Sequence, residues 1–274
     1  MRTLLVARKE FVDATRSRTL WAIVGLVAVM TTLSTVLTMV VPGGATVYDA
    51  IGGMAQIAGA LVPIVALVAA YLSIAGERES GSIKVLLGLP PTRGSVLLGK
   101  FLARGLVVVA GILAGYLVAA AVTVAVFGGL PLTVFVGTAV LAAGLGVVFV
   151  GIAIGISAAT ASRSRAVTFS VAVYLLLTLL WDLVPQLLAL GLGTGGEGAQ
   201  PWLLFVRSLS PTGAFNALIV EMLGLSTGMP GIAKAVDGPV PFYLQPWAMV
   251  AILVLWTAIP VALGYRAFER ADIN

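Results

Sequence analysis

The sequence predicts an all-α membrane protein. It has six transmembrane helices, an N-terminal amphipathic interfacial helix, a short cytoplasmic helix between the second and third spans, and short external helices before the last span. Three observations predict it. The chain is 60% hydrophobic with a mean hydropathy of +1.11, and only 10% of its 274 residues are charged, against about 25% in a soluble domain. So few polar groups cannot cover a surface in water, and lipid removes that need. Six apolar segments reach the roughly 20 residues that cross about 30 Å of hydrocarbon. The basic residues flank those segments on one side, which sets an orientation. The length fits a single membrane domain over 1–274.

The first 18 residues read as a separate element. Leu4, Ala7, Phe11 and Ala14 recur at helical spacing, while Arg2, Lys9, Asp13 and Arg16 occupy the opposite face. Such a helix lies in the membrane interface. The first apolar run, 19–41, is too long for a cleavable signal core and lacks a small-residue cleavage site, so it reads as a retained span. The second span is expected over 51–75, the two together filling 19–76.

Residues 77–100 form a loop, and the third, fourth and fifth spans follow within 101–190, over 105–127, 132–159 and 166–190. Gly128, Gly129 and Pro131 make a tight turn between the third and fourth. Residues 191–246 open with GLGTGGEG and close with Pro239, Pro241 and Pro246. Between them, PWLLFVRSL and GAFNALIVEMLGL are too short to span and read as re-entrant or interfacial helices. Ser210-Pro211 signals the start of the second. The sixth span covers 247–265, within a last segment of 247–274.

With the N-terminus inside, 14 of the 16 basic residues fall on the cytoplasmic side, leaving only Arg207 and Lys234 outside. Both termini are therefore expected in the cytoplasm. Trp21, Tyr71 and Tyr265 fall at inner ends, and Tyr48, Trp181, Tyr243 and Trp247 at outer ends, as an aromatic belt requires.

The chain has no Cys and no His. Disulfides, thiolate or imidazole metal sites and Cys or His catalysis are excluded. The formal charge of +5 does not point to nucleic acid, because the basic residues flank apolar runs. Residues 94–100 match G-x-x-x-x-G-K, but Phe101 stands where a phosphate loop needs Ser or Thr, and no strand precedes it. Met39, Met54, Met222, Met229 and Met249 fall on or near the outer side. Thioethers suit Cu(I), but with no His or Cys these read as apolar filler, and no metal site is expected. Gly111-x-x-x-Gly115 and Gly151-x-x-x-Gly155 allow close helix approach, within the chain or at a dimer seam. Asp182 is the only acidic residue well inside an expected span, in its outer third. It reads either as a cavity-facing group on a substrate path or as an interfacial residue.

The most specific stretch is ERESGSIKVLLGLPPTRGSVLLGK at 77–100. Ser80 can cap a short helix over 81–89, Pro90-Pro91 stops it, and Thr92 or Ser95 can start the next. Ile83, Leu86 and Leu87 give the short helix an apolar strip that needs a groove or lipid to pack on. The run E-R-E-x-G-S-I-K-x-L-L-x-L-P-x-x-R, followed by L-L-G-K, resembles the signature of type-2 ABC transporter permeases. ARKEFVDATRSRTLW resembles that family's opening helix, and SLSPTGAF its N-P-x-x-A-F element, with Ser210 where Asn is commoner. The resemblance covers essentially the whole chain and is similar to the permease group that serves nitrous-oxide-reductase maturation.

The resemblance implies a membrane permease subunit, an exporter by family tendency, in the plasma membrane of a prokaryote. It implies a second permease copy, identical or paralogous, and a separate ABC ATPase subunit carrying ATP and Mg, with no cofactor on this chain and no enzyme activity of its own. It implies that 81–89 is the coupling helix seated in the ATPase. The contact residues are then Glu77, Glu79, Gly81, Ile83, Leu86, Leu87, Pro90 and Arg93, with Glu77, Glu79 and Arg93 orienting the loop through charge-assisted bonds. The alternatives fit less well. An ion-coupled carrier needs several ionisable or helix-breaking residues at mid-membrane. An intramembrane enzyme needs a carboxylate pair or a Ser-Lys dyad that is absent here, and a plain scaffold does not need the loop.

Overall fold

The computed structural model describes residues 18–40, 46–80, 92–193, 200–227, 236 and 239–271. The expected interfacial helix over 1–16 and the expected short helix over 81–89 lie outside these. The described residues are helical, with no strand among them.

Among the described residues, six helical segments are long and apolar enough to cross a membrane: Trp21–Thr38, Val47–Glu79, Arg93–Phe127, Leu132–Ala159, Arg163–Leu180 and Pro246–Arg270. The helices are α1 (Arg18–Thr38), α2 (Val47–Ala70), α3 (Ala75–Glu79), α4 (Arg93–Phe127) and α5 (Leu132–Ala159). Then come α6 (Arg163–Tyr174), which continues as a π-helical segment Leu175–Leu180, α7 (Leu183–Gly191), α8 (Pro201–Ser208), α9 (Pro211–Thr227) and α10 (Pro246–Arg270).

Local chemistry sets several ends. Thr46 and Asp49 form a reciprocal capping box on α2. Gly128 ends α4 at φ +72°, a left-handed conformation that glycine adopts without a Cβ clash, and the chain turns straight into α5. Helix α4 begins at Arg93 with Thr92 as its cap, one of the two starts the sequence offers. It therefore runs well before the apolar span expected from 105, and Lys100, which reads as loop in a hydropathy profile, is buried and paired inside the bundle.

The fourth span is the hub. Of its most apolar window 72% is buried, against 17% for the fifth span, so one is core and the other periphery. Helix α5 packs against α2, α4, α9 and α10, and α1 packs on α4 and α2. Around Gly155 the backbones nearly touch: a Cβ there would lie 2.3 Å from the Pro260 carbonyl oxygen of α10. Gly151 meets Thr257 and Gly115 meets Val27, so these three glycines of the two G-x-x-x-G pairs face neighbours within the chain.

The fifth span ends sooner than a hydropathy profile suggests. A turn at Trp181 and Asp182 separates it from α7. Helices α8 and α9 are bent 120° from one another and form a hairpin. Its tip is tied to both flanking spans, since Thr212 Oγ1 donates to the Leu177 carbonyl (2.8 Å) and Trp256 Nε1 to the Leu209 carbonyl (2.8 Å). The first bond takes up a carbonyl of the π segment, where the regular ladder is disturbed. Ser210 caps α9 as the sequence suggests, accepting from the Gly213 amide at 2.9 Å.

Candidate functional site

The end of the bundle opposite the hairpin carries residues 80 and 92, the two ends of the loop bearing the signature. This end is basic, and Arg78, Glu79 and Arg93 are engaged with helix termini. The geometry starts in a break. Helix α2 stops at Ala70, the chain turns through 71–74, and α3 resumes at Ala75. A break frees backbone amides that must find partners when buried. Ser157 of α5 supplies the acceptor: its Oγ takes the amides of Ile74 (2.9 Å) and Ala75 (3.0 Å), both buried.

Three consecutive residues of α3 then point to three different helices. Glu77 Oε1 pairs with Lys100 Nζ of α4 at 2.7 Å, and the Lys100 side chain is 1% exposed. Arg78 Nη1 donates to the carbonyls of Ala158 (3.3 Å) and Thr160 (3.1 Å), at the C-terminal end of α5. Glu79 accepts from the Arg163 amide, the first of α6 (2.5 Å). The signs match the helix dipoles: a cation sits at the carbonyl end and an anion at the amide end.

The far side of the loop is fixed in the same way. Thr92 caps α4, accepting from the Ser95 amide at 3.2 Å. Arg93 Nη1 donates to the carbonyls of Phe268 (2.7 Å), Glu269 (2.8 Å) and Ala271 (2.9 Å), which close the C-terminal turn of α10. Its guanidinium also lies 5.6 Å from the centre of the Phe268 ring, within cation–π reach.

Of the residues singled out from sequence, Glu77, Glu79 and Arg93 thus sit at the two roots of one loop, each in a charge-assisted bond. Gly81, Ile83, Leu86, Leu87 and Pro90 lie outside the described residues. Sequence reasoning missed Lys100 as the partner of Glu77, although the Gly-Lys that closes the signature was the available signal. It missed Arg78, Arg163 and Ser157 as partners, and their spacing carries no such signal. Residues 94–100 form the first turns of α4 and not a phosphate-cradling loop.

Asp182 stands apart from this cluster, in the turn that ends the fifth span. It pairs with Arg207 at 3.2 Å, with both side chains more than half exposed, so the pair contributes little stability. Met54 and Met249 are buried in the core, and Met222 packs over Gly137.

The described residues form a multi-pass helical bundle in which Glu77, Arg78, Glu79 and Arg93 tie residues 77–80 and 92–93 to four other parts of the bundle. The chain belongs to the ABC-2 transporter family: the model described as ABC-2 family transporter protein matches residues 4–273. It is 33% identical, over 97% of this chain and 97% of the relative, to a probable ABC transporter permease protein NosY of Stutzerimonas stutzeri. It is 31% identical, over 98% of each, to the protein of the same name from Pseudomonas aeruginosa. The chain is a membrane permease subunit of an ABC transporter.

Proposed function

We propose that this subunit passes the nucleotide cycle of a separate ABC ATPase into the membrane through the loop between spans two and three, and that it works as an exporter. The observation that carries this reading is the mounting of the loop. One root is held to α4, α5 and α6 by Glu77, Arg78 and Glu79, and the other to α10 by Arg93. A push on such a loop reaches four spans at once, which a two-state transporter driven from outside the membrane requires. On this reading the short helix over 81–89 enters a groove of the ATPase through Ile83, Leu86 and Leu87, with Gly81 and Pro90 marking its limits. ATP and Mg are held by that partner, and this chain binds no cofactor.

The gathering of basic residues at the loop end supports a cytoplasmic loop with both termini inside, in the plasma membrane of a prokaryote. Two copies of the permease, or one with a paralogue, would face one another across the path. Asp182, paired with Arg207, would stand on its outer rim.

The test co-purifies the permease with the ABC ATPase proposed as its partner. Replacing Leu86 and Leu87 together by Asp is expected to abolish complex formation or permease-dependent ATP hydrolysis while membrane insertion is unchanged. A normal complex with an unaltered ATPase rate would remove the coupling assignment.

A further inference from the structure

The fifth span is held at its two ends by different parts of the molecule. At its start the Arg163 amide donates to Glu79, in the root of the loop. At its far end the Leu177 carbonyl accepts from Thr212 Oγ1 at 2.8 Å, and Trp181 Nε1 donates to the Val206 carbonyl at 3.0 Å, so both bonds run to the hairpin. Between these anchors little fixes its rotation: of residues 163–180 only Ala166, Ser170 and Leu177 are buried. The six residues Leu175–Leu180 are wound as a π-helix. There each amide reaches back five residues and not four, so the span carries one residue more than an α-helix needs. The turn at Trp181 and Asp182 follows at once, and a residue released by rewinding has a place to go.

Two threonines prefer opposite windings. In an α-helix a threonine hydroxyl commonly donates to the carbonyl four residues before it, and Thr31, Thr35, Thr123, Thr138 and Thr257 do so at 2.6–3.1 Å. Thr168, in the α-wound part of the fifth span, does the same at 3.0 Å. Thr178 lies in the π segment, and its buried hydroxyl has no partner among the described residues, because π winding carries the Tyr174 carbonyl away from it. A buried donor left unpaired is costly, and rewinding to α would restore this bond. Thr212 pulls the other way. The carbonyl it serves, that of Leu177, is one that an α-helix gives to the amide four residues on. Each winding therefore satisfies one hydroxyl and deprives the other, which is the balance a two-state element needs.

We infer that the fifth span contains a switch: during transport Leu175–Leu180 rewinds from π to α, with Thr212 holding the first form and Thr178 the second. An α-helix turns through about 100° per residue, so passing one residue into the turn at Trp181 and Asp182 rotates Arg163–Tyr174 by about that angle against the hairpin. Glu79 sits on the first amide of the part that turns, so a movement of the loop root acts on the winding directly. The switch deepens the transport reading but does not depend on which subunit supplies the movement, so it and the coupling proposal fail separately.

The chain has no cysteine, so two introduced cysteines carry two spin labels and nothing else is labelled. The pair is Phe169→Cys on α6 and Leu255→Cys on α10, both exposed. The distance between the labels is measured by double electron–electron resonance in the full chain in lipid nanodiscs. The labelled parent is compared with the same chain lacking Leu176, with Thr212→Val and with Thr178→Val. Deleting Leu176 removes the spare residue, so that chain gives the distance of the α form. Expected are two distances in the parent, the second coinciding with that of the deletion. Thr212→Val should raise the ratio of the second to the first about fivefold, and Thr178→Val should lower it about fivefold, the factor for one neutral hydrogen bond. If the shortened chain fails to insert, the two threonine variants still decide, because the switch requires them to move the ratio in opposite directions. One unchanged distance in the parent and both threonine variants, shifts of the same sign, or a deletion that reproduces the parent's main distance overturns the switch.

Discussion

The Lys100 ammonium lies 2.7 Å from the Glu77 carboxylate with its own side chain almost wholly buried, joining the first residues of α4 to the last turn of the second span. A buried ion pair need not stabilise more than an apolar pair of the same shape, but breaking it strands a charge.

Lys100→Met alone is therefore expected to destabilise the permease by about 3 kcal/mol. Lys100→Met combined with Glu77→Gln should recover much of that loss. Thermal unfolding in detergent, read as a double-mutant cycle, checks the coupling. Additive losses would mean that the two side chains do not act as a pair.

Arg93→Ala removes the donor that closes the C-terminal turn of α10. Hydrogen bonds to a charged group are worth about 2 kcal/mol, and the carbonyls of Phe268, Glu269 and Ala271 lose theirs together. Amide exchange in the last turn of α10 should quicken while exchange at the start of that helix stays unchanged. Protection unaltered at 266–271 would show that the last turn stands without Arg93.

Two glycines in long helices should respond in opposite ways. A Cβ at Gly155 meets the Pro260 backbone, whereas one at Gly105 meets nothing within 4 Å. Gly155→Ala is expected to cost about 1–3 kcal/mol by overpacking. Gly105→Ala should gain up to about 1 kcal/mol from helix propensity. Melting temperatures of the two variants check the signs.

Thr212→Val keeps shape but removes the hydroxyl that serves the Leu177 carbonyl. A loss of about 1 kcal/mol is expected, together with faster proteolysis of the hairpin in membranes opened to protease from the hairpin side. An unaffected cleavage rate would show that the hairpin is held elsewhere, for instance through Trp256.

The six spans were legible because hydrocarbon imposes a single demand, a long apolar run, that the sequence must write out in full. Their limits were less legible. Lys100 and Arg104 resemble loop residues in composition, yet α4 runs through both because the bundle supplies Glu77 as a partner for the first. The turn at Trp181 and Asp182 was signalled only by Asp182 and Pro185, because the runs on either side, 175–180 and 187–190, are apolar and read together as one span. Glu77, Glu79 and Arg93 stood out by their place in a family signature. Two of their partner sets did not, because Arg93 takes backbone carbonyls and Glu79 a backbone amide, groups that every sequence contains, while Lys100, the side-chain partner of Glu77, closes the same signature.

Arg78 and Glu79 are neighbours in sequence, yet one grips the trailing edge of α5 and the other the leading edge of α6. A tug on residue 80 therefore has no slack to take up before it is felt at both helices. The corner between the fourth and fifth spans would travel with the root of the loop as a single piece, like a door whose handle is bolted through to the frame of the next one.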